Sequence, residues 1–334
     1  MNYKSVVVTR RGGPEVLEIE ERELRAPAVG EVRLKVLATA VGRTDINYRH
    51  GLSPFSPKVP FVPGYEVVGV VAARGEGVAK VSVGDRVAAL TGHGGYTEVL
   101  YLKQEHLVPV PASLDPAEVA VLVLNYVSAY QMLYRTAKVK PGDKALVIGA
   151  SGGVGTALLE LGRLAGMKMY GTASASKHAV VTSLGATPID YRSQDFVTVL
   201  RQAEPEGVDF VFDGIGGEAS DRALQVLRHG GKLVVFAAPA GFWKLLGGIF
   251  KLIGANLQPK VRTVESYGIT ALYRRDKEPF MEDLPKLFGM LAEGRIKPII
   301  STRLPLLEAR QANELLESGR VAGNLVLLSP ELLK

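Results

Sequence analysis

The sequence predicts an α/β protein with a β-rich N-terminal region followed by a doubly wound parallel sheet. Residues 1–111 consist of short apolar runs separated by Gly/Pro turns, a spacing typical of a compact, partly closed β fold. From Lys144 onward the apolar runs alternate with helical patterns, which predicts βαβ units. A late apolar run, Asn324–Leu328, predicts a strand that returns to the first domain. We therefore expect one domain from residues 1–124 and 270–334, and a second from residues 125–269.

The individual elements follow from apolar periodicity and from the residues that begin and end each element. A helix is expected to begin after Asp115, with Pro116 in its first turn and Glu118 as the acid of a capping box, and to continue to about residue 137. Ser193 is expected to cap a later helix. The predicted strands are Ser5–Val8, Val32–Ala38, Val67–Ala72, Arg86–Leu90, Thr97–Leu102, Pro188–Tyr191, Val208–Asp213 and Lys232–Ala237. The further predicted helices are Ser193–Ala203, Gly217–Arg228, Asp283–Gly294 and Leu306–Ser318.

The stretch from Lys144 to Lys177 predicts a phosphate-binding βαβ unit. A continuous apolar run, Ala145–Ile148, is typical of a buried parallel strand, and a turn with four glycines follows it before an amphipathic helix. Glycines allow a tight turn, so that a pyrophosphate can reach the first N–H groups of the helix. The pattern is closer to AxxGxxG than to strict GxGxxG, and an ordinary βα turn without a ligand is the alternative. The expected cofactor contacts here are Ser151, Gly152, Gly153 and Val154.

The end of the second strand of this unit indicates which dinucleotide binds. A site for NAD places Asp or Glu about 20 residues after the glycine turn, where it holds the ribose 2′-hydroxyl. The segment Gly171–Lys177 contains no acid, and it supplies Ser174 and Lys177 instead. Hydroxyl groups and a lysine suit a 2′-phosphate, so NADPH is the expected cofactor. A solvated polar loop is the alternative interpretation.

Composition limits the class of protein. The 334 residues carry a formal charge of +6, but the 40 basic residues are dispersed among 34 acids, which favours a solvated surface over a nucleic-acid interface as the main partner site. No stretch approaches about 18 uninterrupted apolar residues, so no membrane span is expected. The chain has no cysteine and no signal-peptide pattern at its N-terminus. We expect a cytoplasmic protein.

Several motifs together resemble the medium-chain dehydrogenase/reductase superfamily and, within it, the zinc-free quinone oxidoreductases. They are Thr44-Asp45 with Gly51, Pro63–Gly69, Gly75–Val78, Val83–Val87, Gly149–Gly155, Asp213–Gly217 and Gly319–Leu328. The stretch Asn125–Tyr130 looks like the vesicle-amine-transport-protein branch. The resemblance implies a GroES-like β-rich catalytic domain plus a Rossmann domain with a doubly wound parallel sheet. It also implies NADPH-dependent reduction of small apolar quinones or enones, and a homodimer.

The resemblance further indicates that no metal site is present. Zinc-binding members place a cysteine where this chain has Gly42, a histidine where it has Tyr65, and another cysteine near Leu124. The four-cysteine structural loop is also missing, and the five histidines show no paired ligand spacing. Without a Lewis acid, alcohol oxidation loses its main stabilising group, so reduction by hydride transfer is expected.

The resemblance assigns the remaining site residues. Asn47, Tyr48 and Tyr65 are the candidate catalytic donors, although well-known quinone reductases carry a tyrosine at the position of Asn47 and often another at Ser53. Tyr48 and Tyr65 could equally be buried aromatic residues with a satisfied hydroxyl, and Asp45 is interpreted as a structural cap. The remaining expected cofactor contacts are Ser128, Tyr191, Ile215, Phe236, Ala237 and Asn324.

Three functions compete at this point. The first is an NADPH-dependent quinone or enone reductase, the second is an NADPH-binding sensor or scaffold with little turnover, and the third is an RNA-binding role, which the dispersed charge disfavours. The apolar segment from Gly241 to Gly254, which contains the only tryptophan, is expected to be a lid near a dimer contact. A membrane-surface anchor is its alternative interpretation.

Overall fold

A computed structural model describes residues 1–236 and 263–333. The chain divides into two compact units, one formed by Met1–Val127 with Asp276–Lys334 and the other by Ser128–Arg275. The expected boundaries were residues 124/125 and 269/270. Ala237 and the expected lid, residues 241–254, lie outside the described residues.

The first unit is built on an antiparallel hairpin and a seven-stranded sheet with the order β14-β15-β3-β4-β5-β7, in which β6 also pairs with β3. Its strands are β1 Asn2–Val8, β2 Leu17–Glu23, β3 Glu31–Val41, β4 Glu66–Arg74, β5 Arg86–Leu90, β6 Val99–Lys103, β7 Val108–Pro109, β14 Ile300–Pro305 and β15 Asn324–Leu328. Strand β15 runs antiparallel to β3, with Leu325 opposite Val41. The predicted return of the last strand to the first domain is therefore confirmed, whereas β2, β7 and β14 were not predicted.

In the sequence, two helices of the first unit precede the second unit and two follow it. They are α1 Arg43–His50, α2 Pro116–Val121, α9 Glu278–Ala292 and α10 Ala309–Glu317. Asp115 caps α2 as predicted, because its Oδ1 accepts a hydrogen bond from Ala117 N at 2.9 Å. Beyond α2 the helix widens into π-helical turns at Leu122–Tyr126, which the sequence pattern did not reveal. Such turns are frequent at functional sites.

The second unit contains a six-stranded parallel sheet with the order β10-β9-β8-β11-β12-β13. Its strands are β8 Lys144–Ile148, β9 Lys168–Ala173, β10 Thr187–Asp190, β11 Val208–Asp213, β12 Leu227–Val235 and β13 Thr263–Ser266. Its helices are α3 Val127–Tyr130, which the unit boundary crosses, α4 Gly153–Leu164, α5 His178–Ser183, α6 Phe196–Ala203, α7 Glu218–Ala223 and α8 Ile269–Arg275, with π-helical turns at Gln131–Ala137. Strands β8 to β10 extend the sheet in one direction and β11 to β13 extend it in the other. The order therefore reverses between β8 and β11, and ligands bind at such a switch point.

Three sequence predictions in the second unit were wrong in detail. Ser193 does not cap the helix, because its hydroxyl donates to Asp190 Oδ2 at 2.8 Å; Asp195 is the cap and accepts from Val197 N at 3.1 Å. The helix predicted over Gly217–Arg228 ends at Ala223, since Leu227 pairs with Val208 and begins β12. The strand predicted over Lys232–Ala237 therefore starts five positions earlier, at Leu227, and ends at Val235.

The part of the chain that the structure describes contains no helix with both the length and the apolar character needed to cross a membrane.

Candidate functional site

The switch point of the parallel sheet is formed by the turns that follow β8 and β11. Gly149 ends β8 with a φ of +86°, a left-handed conformation that favours glycine. Its N–H donates to Thr172 Oγ1, at the end of β9, over 3.1 Å. A Cβ atom on Gly149 would lie 3.6 Å from Ile215 Cδ1, in the turn after β11. The structure thus brings Gly149 and the predicted site residue Ile215 together.

The turn between β8 and α4 has the features of a pyrophosphate cradle. Helix α4 begins at Gly153, and no side chain caps it at Gly152, so its first N–H groups remain available for an anion. A Cβ atom on Gly155 would lie only 2.3 Å from the carbonyl oxygen of Gly149, so this position requires glycine for the helix to approach the strand. Of the four predicted contacts, Ser151 and Gly152 lie in this turn, and Gly153 and Val154 are the first two residues of α4. The cradle fits a dinucleotide.

The turn after β11 is organised by a buried aspartate that sequence reasoning missed. The side chain of Asp213 has no exposed surface, and its Oδ1 accepts hydrogen bonds from Ile215 N at 2.8 Å and Gly216 N at 3.1 Å. Its Oδ2 accepts from Ser220 Oγ at 2.5 Å. Asp213 therefore fixes the turn so that Ile215 remains 65% exposed at the switch point. The motif Asp213–Gly217 carried this signal, but its partners are visible only in the fold.

Phe236 packs against the same turn. Its backbone N–H donates to Asp213 O at 2.9 Å, and a Cβ atom on Gly214 would lie 2.7 Å from Phe236 Cζ. The absence of a side chain at Gly214 thus makes room for the Phe236 ring. Ser128, another expected cofactor contact in this unit, is buried in α3.

The residues expected at the 2′-phosphate follow two neighbouring strands. Ala173 of β9 pairs with Asp190 of β10, so Ser174 and Tyr191 leave the sheet side by side. Ser174 is buried, with its hydroxyl 3.3 Å from Ser176 Oγ, and Tyr191 is 55% exposed. Lys177 closes the turn through its N–H, which donates to Ser174 O at 2.8 Å.

Asp190 is the acidic residue nearest in sheet register to Ser174 and Lys177. Its carboxylate accepts hydrogen bonds within its own turn. Oδ1 of Asp190 accepts from Arg192 N at 3.1 Å, and Oδ2 accepts from Ser193 Oγ. Hydrogen bonds from Ser193 and from the backbone lower the pKa of this carboxyl. No acid stands at the end of β9, where one would hold a ribose 2′-hydroxyl.

The first unit carries the candidate catalytic residues on and after helix α1. The rings of Tyr48 and Tyr65 are both buried, with centroids 5.9 Å apart and an interplanar angle of 43°. Burial raises the pKa of the Tyr65 hydroxyl, and the neighbouring Tyr48 adds to the shift. Tyr65 is therefore a neutral hydrogen-bond donor at ordinary pH. Asn47 is half-buried on the same helix, and no hydrogen bond among the described residues engages its side-chain amide.

The buried carboxyl group of Asp45 holds the backbone next to these residues through hydrogen bonds. Oδ2 of Asp45 accepts from Gly42 N and Oδ1 accepts from Gly64 N, each at 2.9 Å. Burial raises the pKa of Asp45 to about 6, although these hydrogen bonds oppose the shift. The interpretation of Asp45 as a structural cap of α1 is consistent with this geometry, because the carboxylate joins the start of α1 to the loop that carries Tyr65.

Glu66 is the next buried carboxyl along the chain. Its Oε1 accepts from Ala40 N at 3.0 Å. Burial raises the pKa of Glu66 well above its usual value, and the nearby Asp45 adds to the shift. Through its hydrogen bond to Ala40 N, the Glu66 side chain joins β4 to the neighbouring strand β3.

The positions of the zinc ligands in the resembling dehydrogenases hold unsuitable groups. Gly42 has no side chain, Leu124 is apolar, and Tyr65 retains its proton because of burial. Among the residues that the structure describes, no group of three or more His, Cys, Asp or Glu side chains could hold a metal ion. The donors at these three positions do not fit zinc.

Asn324, which was expected near the cofactor, uses its amide within the first unit. Its Oδ1 accepts from Asn125 Nδ2 at 2.6 Å, and its Nδ2 donates to Ile299 O at 2.9 Å. The side chain is buried at the start of β15.

Comparison with known proteins agrees with this architecture. The family model described as "Alcohol dehydrogenase GroES-like domain" matches residues 28–112, and the one described as "Zinc-binding dehydrogenase" matches residues 184–327. The synaptic vesicle membrane protein VAT-1 homolog of Rattus norvegicus is 32% identical over an alignment that covers 97% of this chain and 84% of that protein. The chain belongs to the medium-chain dehydrogenase/reductase superfamily. Within this superfamily it falls in the zinc-free quinone oxidoreductase-like branch.

Two solved structures show the same two-domain fold. Quinone oxidoreductase from Escherichia coli in complex with NADPH has a TM-score of 0.87 and 29% identity, covering 97% of this chain and 99% of that one. The CurK enoyl reductase has a TM-score of 0.85 and 25% identity, covering 98% and 99%. The predicted fold class, a GroES-like domain plus a Rossmann domain with a parallel sheet, is confirmed. The chain is an oxidoreductase of the type that uses a nicotinamide cofactor.

Proposed function

We propose that this chain transfers a hydride from NADPH to a quinone or an α,β-unsaturated carbonyl compound, without zinc. The observation that carries the proposal is the uncapped N-terminus of α4 beside Gly155, whose missing side chain lets the helix approach the end of β8. The quinone oxidoreductase and enoyl reductase among the similar structures support both substrate classes.

The protein's own residues have distinct roles in this proposal. NADPH supplies the hydride when it is bound. The N–H groups of Gly153 and Val154 bind the pyrophosphate, and Lys177 binds the 2′-phosphate. Phe236 and Ile215 present an apolar surface that excludes water. Ser128, Tyr191, Ala237 and Asn324 remain expected cofactor contacts.

The oxygen of the reduced substrate requires hydrogen-bond donors. When an enone or quinone accepts a hydride, negative charge develops on its oxygen, and preorganised donors stabilise that charge. Tyr65 keeps its proton because it is buried, and no hydrogen bond within residues 1–236 and 263–333 engages the side-chain amide of Asn47. Tyr48 interacts with Tyr65 and orients its hydroxyl.

Turnover is tested by measuring NADPH oxidation with a panel of quinones and enones. We expect substrate-dependent oxidation with at least one class, and less oxidation by Tyr65→Phe. A chain that binds NADPH by calorimetry but oxidises it with no panel member would instead be a cofactor-binding sensor or scaffold. Asn47 and Ser53, which replace tyrosines of well-known quinone reductases, favour that second function.

Zinc independence has its own test. Because Gly42, Tyr65 and Leu124 offer no suitable ligand set, the dialysed protein should contain no stoichiometric zinc, and chelators should leave NADPH oxidation unchanged. One zinc ion per chain by elemental analysis would overturn this part of the proposal.

The assembly and location are also proposals. We propose a cytoplasmic homodimer, as the family resemblance and the absence of cysteine suggest. Sedimentation of the purified chain and imaging of the tagged chain in cells test the two statements separately.

A further inference from the structure

Residues 52–59, here called the 52–59 loop, expose three large apolar side chains. Leu52 is 45% exposed, Phe55 is 56% exposed and Val59 is 38% exposed. Single exposed apolar residues are ordinary, but several on one short loop are typical of a binding surface. The loop follows helix α1, which carries Asn47 and Tyr48.

Hydrogen bonds fix the tip of this loop in a tight turn. Ser56 N donates to Ser53 O at 3.0 Å, and Phe55 N donates to Ser53 Oγ at 3.2 Å. Pro54 occupies the second position of the turn, where its fixed φ is favourable. Phe55, at the third position, is therefore held outward by an ordered backbone.

Hydrogen bonds from Arg11 join the 52–59 loop to helix α1, which carries the candidate catalytic residues. Its guanidinium donates one hydrogen bond to the carbonyl oxygen of Tyr48 and another to that of Pro57. The same guanidinium lies 5.6 Å from the centroid of the Phe61 ring. One side chain thus joins the end of α1 to the far part of the loop.

The start of the loop also depends on α1. Leu52 N donates to Asn47 O at 2.9 Å, and Gly51 N donates to Tyr48 O at 3.0 Å. Gly51 has a φ of +70°, and a Cβ atom there would lie 3.1 Å from Arg11 Nε. The loop and the two candidate catalytic residues therefore form one hydrogen-bonded assembly.

We propose that the 52–59 loop contacts the hydrocarbon part of the substrate, and that Arg11 is the positioning residue that holds the loop and Tyr48 in register. The proposal rests on the proposed function and adds a substrate class to it, namely quinones or enones that carry an alkyl chain. The loop offers apolar carbon and few charges, so the occupant must be apolar. Its hydrogen-bonded continuity with Asn47 and Tyr48 places that occupant next to the reacting group of the substrate.

The first experiment measures how rate depends on the length of the substrate's alkyl chain. A homologous series of alkyl benzoquinones is the probe, with NADPH oxidation as the readout. Each methylene that becomes buried raises kcat/KM by at most about fourfold, so we expect a two- to fourfold rise per added methylene in the wild-type protein. Phe55→Ser and Leu52→Ser should flatten this dependence, so that the ratio of kcat/KM for long-chain quinones to kcat/KM for unsubstituted benzoquinone falls.

Ile19→Ser is the matched control. Ile19 lies on β2 and has the same exposed fraction as Phe55, 56%. If exposed apolar surface acts only through general adsorption of substrate, Ile19→Ser will flatten the dependence as much as Phe55→Ser does, and the proposal is wrong. We expect Ile19→Ser to match the wild type at every chain length.

The second experiment tests the positioning role of Arg11. Arg11→Met removes both hydrogen bonds, and we expect it to lower kcat for the short quinone and to abolish the chain-length dependence. Arg11→Lys can reach one carbonyl, so it should restore part of both effects. Unfolding in urea gives the stability of each variant. A loss of stability with the chain-length dependence intact would show that Arg11 is only structural.

Failure of this proposal can be distinguished from failure of the proposed function. If no quinone is reduced, calorimetric titration of the same alkyl series into the NADPH-saturated protein replaces the rate as the readout. Affinity that rises with chain length and depends on Phe55 would support the loop and reject the catalytic function. An affinity that does not depend on the length of the alkyl chain would contradict the proposed contact with the 52–59 loop, whether or not the protein turns over a substrate.

Discussion

The N–H of Gly149 donates a hydrogen bond to Thr172 Oγ1, and this bond joins the glycine turn after β8 to the end of β9. Thr172 also accepts a hydrogen bond from Ala150 N through its carbonyl oxygen, at 3.1 Å. The side chain of Thr172 is buried. The cradle for the pyrophosphate and the strand that leads to the 2′-phosphate group are therefore positioned by the same residue.

Thr172→Val should weaken the cradle without changing cofactor preference. The substitution leaves the partly buried N–H of Gly149 without its acceptor, which costs about 0.5–1.5 kcal/mol of unfolding free energy. We expect NADPH and NADH to lose affinity by the same factor, as measured by calorimetry. Thr172→Ser keeps the hydroxyl and is the control. A loss confined to NADPH would contradict this role.

Lys177→Ala should do the opposite and change cofactor preference. A hydrogen bond to a charged group contributes about 1.5–3 kcal/mol, so NADPH affinity should fall by about 10- to 150-fold, while NADH affinity stays nearly constant. Lys140→Ala, at an exposed lysine of the same unit, is the control. Equal losses for both cofactors in Lys177→Ala would remove this residue from the 2′-phosphate site.

Tyr65→Phe and Asn47→Ala should lower turnover more than NADPH affinity. Loss of one preorganised donor to a developing oxyanion reduces kcat by about 100- to 1,000-fold. Because burial raises the pKa of Tyr65, its contribution to kcat should not titrate between pH 6 and 9. Tyr3→Phe, on β1, is the control. If both active-site variants keep the wild-type kcat, the donor is a bound water molecule or Tyr48.

Because of Glu204, the free energy of unfolding of the second unit should decrease at acidic pH. Burial alone would raise the pKa of this carboxyl, but hydrogen bonds from Lys144, Lys168 and Tyr170 outweigh it and lower the pKa to about 2. The folded-state pKa is below the unfolded value near 4.5, so the stabilisation is complete above that value and is lost as pH falls towards 2.

The corresponding measurement is urea unfolding of Glu204→Gln and wild type across this pH range. We expect the variant to be less stable by about 1–2 kcal/mol at pH 7, because the lysine ends of the ion pairs are partly in water. The difference should shrink as the pH falls below about 4.5 and should vanish only below about pH 2. A difference that does not change with pH would mean that Glu204 acts only through packing.

The parts of the structure that could be predicted from sequence are those encoded locally. Continuous apolar runs predicted β8 and β11, and the glycine spacing predicted the start of α4. These patterns are formed by residues that are neighbours in the sequence. The cap of α6 was assigned to Ser193 instead of Asp195, since each can accept a hydrogen bond and only the fold shows that Ser193 donates to Asp190.

The features that were missed depend on distant partners. Asp213 and the turn it organises were visible as a motif, but its burial was not. Arg11 lies far from Tyr48 in the sequence, and nothing near Arg11 indicates that its guanidinium binds that carbonyl group. The π-helical turns at Leu122–Tyr126 also escaped prediction, because their apolar pattern differs little from that of an α-helix.

Strand β15 lies between β14 and β3 in the sheet of the first unit. Synthesis must therefore reach residues 324–328 before this sheet can form completely, whereas the second unit, which is continuous in sequence, can fold earlier. We expect a chain truncated after residue 322 to keep a protease-resistant second unit and to expose the first unit to cleavage.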